Sequence, residues 1–415
     1  MTISTDQAYL GHLGLRGPAT RHKSSKVPAV TGSAALRSAP LLNRTLGRLL
    51  MAGLVLLTAA CGQRGDVTVD PSANGIGTIE QVFVGTTRTY DPETKTFGSG
   101  RSPTLSLAEY DISVPPNREP GEIKWPKKGR PADPRTEFVT AQETLFPDAA
   151  DFRKRLGTAL RSQKTTNRRA MIFVHGFNNT FGEGLYRVAQ LSHDLDQPVA
   201  SVHYSWSSAA QPLGYVHDRD SSLFARDGLE ALFYEVIAAG AQDIVIVGHS
   251  MGAHLAVETL RQMDIRDSAK LRSHLAGVVL LSPDIDVEVF KSQVATFGKL
   301  PQPFVIISSS KDKALRLSSV ITGQPNRLGN LDDIQQLAQL DVRVIDVAAF
   351  STGSGHFNIG DSPELIALLS GVADRQRMFG KGRREGLLQG EVRSGKRAST
   401  IVLSPSMAMP NEPES

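Results

Sequence analysis

The run Asp243-Ile244-Val245-Ile246-Val247-Gly248-His249-Ser250-Met251-Gly252-Ala253-His254-Leu255-Ala256 decides the fold. Residues 244–247 are continuously apolar and β-branched, as a strand covered on both faces must be. From Met251 onward the apolar period becomes helical, with Leu255, Ala256, Leu260 and Met263 recurring on one face. Between the two stands Gly248-His249-Ser250-Met251-Gly252. A serine on so tight a strand-to-helix turn needs small neighbours, and Gly248 and Gly252 supply them. The turn lifts the Ser250 hydroxyl into the crevice at the strand's carboxyl end and points the Met251 N–H at a developing oxyanion.

The same alternation extends in both directions. Apolar runs at 170–174, 199–203, 277–281, 304–307 and 342–347 are separated by helix-period segments at 184–195, 223–238, 251–263, 287–297 and 331–340. Strands alternating with helices predict an α/β fold with a doubly wound, mostly parallel sheet. Upstream, 79–87 and 105–114 alternate well enough for strands, and the Pro/Lys/Arg-rich 115–134 reads as loop. From about Gln376 the periodic apolar signal gives way to Gly, Arg, Ser and Pro, which predicts a disordered tail. The division is therefore 1–60 as basic extension and signal peptide, 61–78 as a polar tether, 79–372 as the folded domain and 373–415 as the tail.

On its strand, elbow and helix the chain resembles the α/β-hydrolase superfamily, and within it a bacterial branch of unknown function. The resemblance spans 79–369. It implies a serine esterase or lipase-like activity with Ser250 as nucleophile. His175-Gly176-Phe177-Asn178-Asn179, directly after the strand 170–174, looks like the oxyanion loop that follows the third strand of esterases. Carried over, the Phe177 N–H is the second oxyanion donor beside Met251. Asn178, and Tyr204 and Trp206 after another strand, are candidates for contacting substrate.

The fold's chain order of nucleophile, acid, histidine leaves His254, His274 and His356 as bases. His254 lies on the elbow helix, and His274 precedes a strand, at the wrong end of the sheet. His356 follows the last strand in a small-residue loop, where a triad histidine reaches over the serine. Asp312 resembles the family's aspartate after the seventh strand and would hold the imidazole tautomer. Asp284 and Asp286, after the preceding strand, are its rivals, and either suits the N-cap of the helix near Val287. Asp218 and Asp220 precede a helix and read as caps. His203 and His217 have no partner at metal-ligand spacing, so neither metal nor other cofactor is expected.

In composition the chain of 415 residues is 40% hydrophobic and 21% charged, ordinary globular usage. Its net charge of +4 comes from basic ends around a nearly balanced middle, which argues against nucleic-acid binding. One cysteine excludes an internal disulfide. That cysteine, Cys61, follows an uncharged stretch at 49–60 preceded by Arg44 and Arg48. As a helix this stretch reaches about 18 Å, short of a ~30 Å bilayer core, and it reads as a signal peptide's apolar region. Leu57-Thr58-Ala59-Ala60-Cys61 resembles a bacterial lipobox, with Thr58 where that pattern favours leucine. The resemblance implies lipidation at Cys61, a membrane partner, and, with Gly62 following, the periplasmic side of the outer membrane.

The expectation is a serine hydrolase acting on a small ester or lipid. An envelope acyltransferase or lipase differs from it by acyl acceptor, and a catalytically silent binding lipoprotein would not need all of Ser250, Asp312 and His356.

Overall fold

The computed structural model describes residues 64–324, 326–331, 334–350, 355–356, 358–366, 391–394 and 399–402. The basic extension, the apolar stretch, Cys61 and most of 373–415 lie outside these residues. The strands are β1 (Thr78–Asp91), β2 (Thr96–Val114), β3 (Val139–Phe146), β4 (Arg169–Val174), β5 (Ala200–Ser205), β6 (Asp243–His249), β7 (Leu275–Leu281), β8 (Phe304–Ser308), β9 (Arg343–Asp346), β10 (Glu391–Ser394) and β11 (Ser399–Val402). Between them run α1 (Ala149–Ser162), α2 (Phe181–Leu195), α3 (Tyr215–Phe224), α4 (Arg226–Ala238), α5 (Met251–His274), α6 (Val287–Ala295), α7 (Lys313–Thr322) and α8 (Asn358–Asp361).

One sheet holds all these strands in the order β10-β11-β9-β8-β7-β6-β4-β5-β1-β2-β3. From β11 to β1 every neighbouring pair is parallel, while β1–β2, β2–β3 and β10–β11 are antiparallel. The chain leaves β4 for β5 on one side and returns to β6 on the other. Such a reversal opens a crevice at the strands' carboxyl ends, where ligands bind in open α/β sheets.

Alternation along each strand divides the core. Ile172 and Val174 of β4 face Leu156 of α1, Leu229 and Leu232 of α4, and Leu255 and Leu260 of α5, while Phe173 joins Leu185 and Val188 of α2 on the other face. Burying each of these side chains stabilises the fold by roughly 1.5–3 kcal/mol. On the α2 face, Val245 and Val247 of β6 and Val279 of β7 are only half-buried, although the β-branched run reads as covered on both sides.

Several elements depart from the sequence reading. The expected helix at 331–340 is instead a single 3-10 turn, Ile334–Leu337. Leu337 is buried in that turn, and Leu331 and Leu340 pack from either side. β3, α1 and α7 were not anticipated. The polar segment after Cys61, expected as a free tether, is docked as far as it is described. Asp70 N–H donates to Thr140 O and Thr140 N–H to Thr68 O, both at 2.9 Å. Within the region read as the C-terminal tail, β11 adds to the sheet in parallel beside β9.

Candidate active site

Ser250 sits between β6 and α5 at φ 53°, ψ −120°, a left-handed conformation that L side chains avoid. Strain of this kind costs about 1–3 kcal/mol and persists only where the surroundings impose it. Here the Ser250 N–H donates to Leu281 O at 2.9 Å, and the Asp284 N–H donates to Ser250 O at 3.1 Å. The turn is thereby stitched to the end of β7. A Cβ on Gly252 would lie 2.1 Å from His175 O, and one on Gly176 would lie 2.9 Å from Ser250 Cβ. The elbow and the loop after β4 are therefore in direct contact, which only glycine at both positions allows. Met251 is the first residue of α5, so its amide has no acceptor within the helix.

The other two chemical groups come from the ends of β8 and β9. His356 Nδ1 lies 2.7 Å from Asp312 Oδ2. The His356 ring packs on that of His249 with centroids 4.8 Å apart, beside Ser250 in the chain. Asp312 is fully buried, and its second oxygen accepts the Leu315 N–H at 2.9 Å, capping α7. One carboxylate thus fixes a helix and holds an imidazole. Burial, with His356 alongside, pushes His249 well below the usual histidine range, so a neutral ring lies against His356.

The two rival aspartates are occupied elsewhere. Asp286 caps α6 through the Glu288 and Val289 amides. Asp284 accepts Tyr215 OH at 2.7 Å and Ser318 Oγ at 2.8 Å, and pairs with buried Arg327 at 3.4 Å. Of the candidate histidines, His274 is at the amino end of β7 and bonds its own helix, with Nδ1 3.1 Å from Lys270 O. His254 lines a cavity of about 300 Å3 beside Met251, with Tyr215, Arg219, Asp284 and Arg327.

The loop 175–179 is held from three sides. The Asn178 N–H donates to Asp218 Oδ2 at 3.2 Å, and the Asn179 N–H to Ser208 Oγ at 3.1 Å. Arg64 donates to Asn178 O at 2.6 Å and Asn178 Oδ1 at 2.9 Å, so this candidate substrate contact has its side chain engaged. Beneath the loop, fully buried Arg88 donates to Asn179 O at 2.9 Å, Ser208 O at 3.1 Å and Ser205 Oγ at 2.9 Å. Burial pushes the Arg88 guanidinium down to about 9, against the pull of Asp218 and Glu183. Asp218, expected as a helix cap, instead takes the Ser208 hydroxyl at 2.6 Å and the Ala209 N–H at 2.7 Å.

Tyr204 and Trp206, the other candidate substrate contacts, are structural. Both are fully buried. Tyr204 OH donates to Ala225 O at 2.5 Å, and the Trp206 ring stacks on His175 at 4.9 Å while its Nε1–H donates to His175 O at 2.7 Å. Phe177 is half-buried, edge-on to Tyr215 with ring centroids 5.4 Å apart. Arg88 and Asp218 were not legible as site residues: nothing in their sequence neighbourhood marks an arginine in a strand or an aspartate in a first helical turn as buried. Among the described residues no three His, Cys, Asp or Glu side chains are grouped to hold a metal.

Ser250, the Asp312–His356 pair and the loop 175–179 thus follow the carboxyl ends of β6, of β8 and β9, and of β4 in one parallel sheet. No curated protein matches the chain. Among solved structures it is similar to lipase B of Aspergillus fumigatus, at 14% identity and a TM-score of 0.36, over 55% of this chain and 57% of that one. The chain thus spans little more than half the length of that lipase. It is also similar to fungal esterases from Rhizomucor miehei, at 14% identity and TM-score 0.33 over 74% and 86% of the two chains. A putative cell surface hydrolase from Lactobacillus plantarum matches at 12% identity and TM-score 0.32, over 54% and 96%. The family model described as alpha/beta hydrolase of unknown function, DUF900, matches residues 148–372, more than half of the chain and the whole of the sheet from β4 to β9. The chain belongs to this family of α/β hydrolases.

Proposed function

We propose that the protein is a serine hydrolase that cleaves carboxylic esters through an acyl-enzyme on Ser250. The observation that carries this reading is the His356–Asp312 contact of 2.7 Å beyond the carboxyl ends of β8 and β9, on the same side of the sheet as Ser250 on its strained turn after β6. In the reaction, His356 takes the Ser250 proton as Oγ adds to the ester carbonyl. The Met251 and Phe177 amides receive the oxyanion, and His356 returns the proton to the departing alcohol. Water, deprotonated by the same imidazole, then adds to the acyl-enzyme and releases the acid and the serine. Asp312 stays ionised throughout and stabilises the imidazolium. The lipobox-like sequence at Cys61 supports a lipid-anchored place on a bacterial envelope membrane.

The test is hydrolysis of a p-nitrophenyl ester series from acetate to palmitate by wild type and Ser250→Ala. Turnover in the wild type, with a loss on the order of 10^4-fold or more in the variant, is expected. A folded wild type that cleaves no ester, or a variant as active as wild type, contradicts the reading.

A further inference from the structure

Most of the large apolar side chains exposed among the described residues lie on three neighbouring elements: α3 with its lead-in, α6 and α7. Leu213 is 100% exposed and Val216 69%; on α7, Leu317 is 61%, Val320 79% and Ile321 51% exposed. The α7 residues are spaced i, i+3, i+4 and so form one outward stripe, while Leu315 and Ser318 turn inward.

A single buried carboxylate ties α3 to α7. Asp284 takes Tyr215 OH from the start of α3 and Ser318 Oγ from the middle of α7. Leu213 and Val216 flank Tyr215, and Leu317 flanks Ser318. The cavity beside Met251 is walled by Tyr215 and Arg219 of α3, Val289 of α6 and Thr322 of α7. Of the exposed aliphatic side chains, Val289 lines this cavity directly.

Charge identifies what these exposed side chains fit. Over 211–224, 287–295 and 311–322 the exposed charged side chains are Arg219, Lys311, Lys313 and Arg316 against Asp220 and Glu288. Protein interfaces concentrate Trp, Tyr and Arg at their centres. An aliphatic stripe edged with lysine and arginine instead matches an anionic lipid surface, with acyl chains under the apolar residues and headgroups at the cations. The surface is also tied to the chemistry, since Asp312 caps α7 and contacts His356.

We propose that the exposed faces of α3 and α7 dock on an anionic lipid bilayer, from which the ester of a lipid enters the cavity beside Met251. The substrate class, lipid esters, rests on the serine-hydrolase reading above; the docking itself does not.

The experiment uses the full chain carrying Cys61→Ala throughout, so that no lipid anchor contributes, with the native patch, with Leu317→Ser/Val320→Ser/Ile321→Ser, and with Lys313→Gln/Arg316→Gln. Sedimentation with phosphatidylglycerol or phosphatidylcholine vesicles reads docking, and turnover of a water-soluble butyrate ester against a vesicle-borne long-chain ester reads its use. The chain with the native patch is expected to prefer phosphatidylglycerol. Each variant should lose about tenfold in vesicle binding and vesicle-borne turnover, with soluble-ester turnover unchanged. Equal binding by native patch and variants, or no preference between the two lipids, overturns the docking surface. A change in oligomeric state on substitution, with vesicle binding unchanged, also overturns it and makes the patch a contact between copies of the chain. Absence of turnover on either ester with docking intact counts against the hydrolase reading alone.

Discussion

At the scale of single residues, the site depends on positions where no extra atom fits. A methyl group at Gly252 would meet His175 O and Val174 O at 2.1 and 2.4 Å, both backbone atoms that cannot swing aside. Gly252→Ala is therefore expected to lower unfolding stability by about 2–4 kcal/mol, read from urea midpoints. A neutral result would mean that the elbow and the loop after β4 are not in contact. Arg88 holds two loop carbonyls and a hydroxyl without touching solvent. Arg88→Met leaves those acceptors unpaired, and a loss of about 3 kcal/mol or more is expected on thermal or urea unfolding. The glycines were legible because the G-x-S-x-G pattern states their purpose. Arg88 was not, because apart from Gly98 O on the next strand its guanidinium takes its partners from Asn179, Ser205 and Ser208, over ninety residues away in sequence and invisible to any local pattern.

At the scale of elements, α7 was unforeseen and turns out to organise the site. Its N-cap is Asp312, so Asp312→Asn should act twice: a loss of about 1 kcal/mol from the weakened cap, and a fall in turnover on the order of 10^3–10^4-fold. Comparing kcat with the unfolding midpoint separates the two. A variant that loses stability but keeps its turnover would leave Asp312 as a cap only. The sequence 313–322 hides this helix because its outward face carries Leu317, Val320 and Ile321 where a soluble helix carries polar residues, so its apolar period is blurred. The parallel strands β4 to β9 were readable to within two residues, since a buried parallel strand has no polar face to obscure it. The segment 64–70 shows the opposite case: polar side chains suggested a tether, but its backbone pairs with Thr140, and Arg64 reaches Glu183 and Asn178.

At the scale of the whole molecule, the core contains histidines that folding holds neutral. Burial pushes His203 down to about 3 and drives His175 and His249 well below the usual range. In the unfolded chain each takes up a proton near 6.5, so the unfolded state binds more protons between that value and the folded one. Stability is thus fully present above about pH 6.5 and falls as the pH drops toward 3, by up to about 1.4 kcal/mol per pH unit for each such histidine. Urea midpoints from pH 7.5 to 4 should trace that decline, with a shallower slope in His203→Gln. A flat profile would contradict the buried neutral histidines. Lipidation at Cys61 predicts that an expressing bacterium incorporates labelled palmitate into the wild type but not into Cys61→Ala, and incorporation that persists in the variant would count against it. The central claim is that Ser250 is an activated nucleophile, and a fluorophosphonate probe with mass mapping of the adduct tests it most directly. One phosphonylated peptide, carrying Ser250, is expected, absent in Ser250→Ala and lost in folded His356→Ala. A folded wild type that takes up no probe, or labels at another serine, would contradict it.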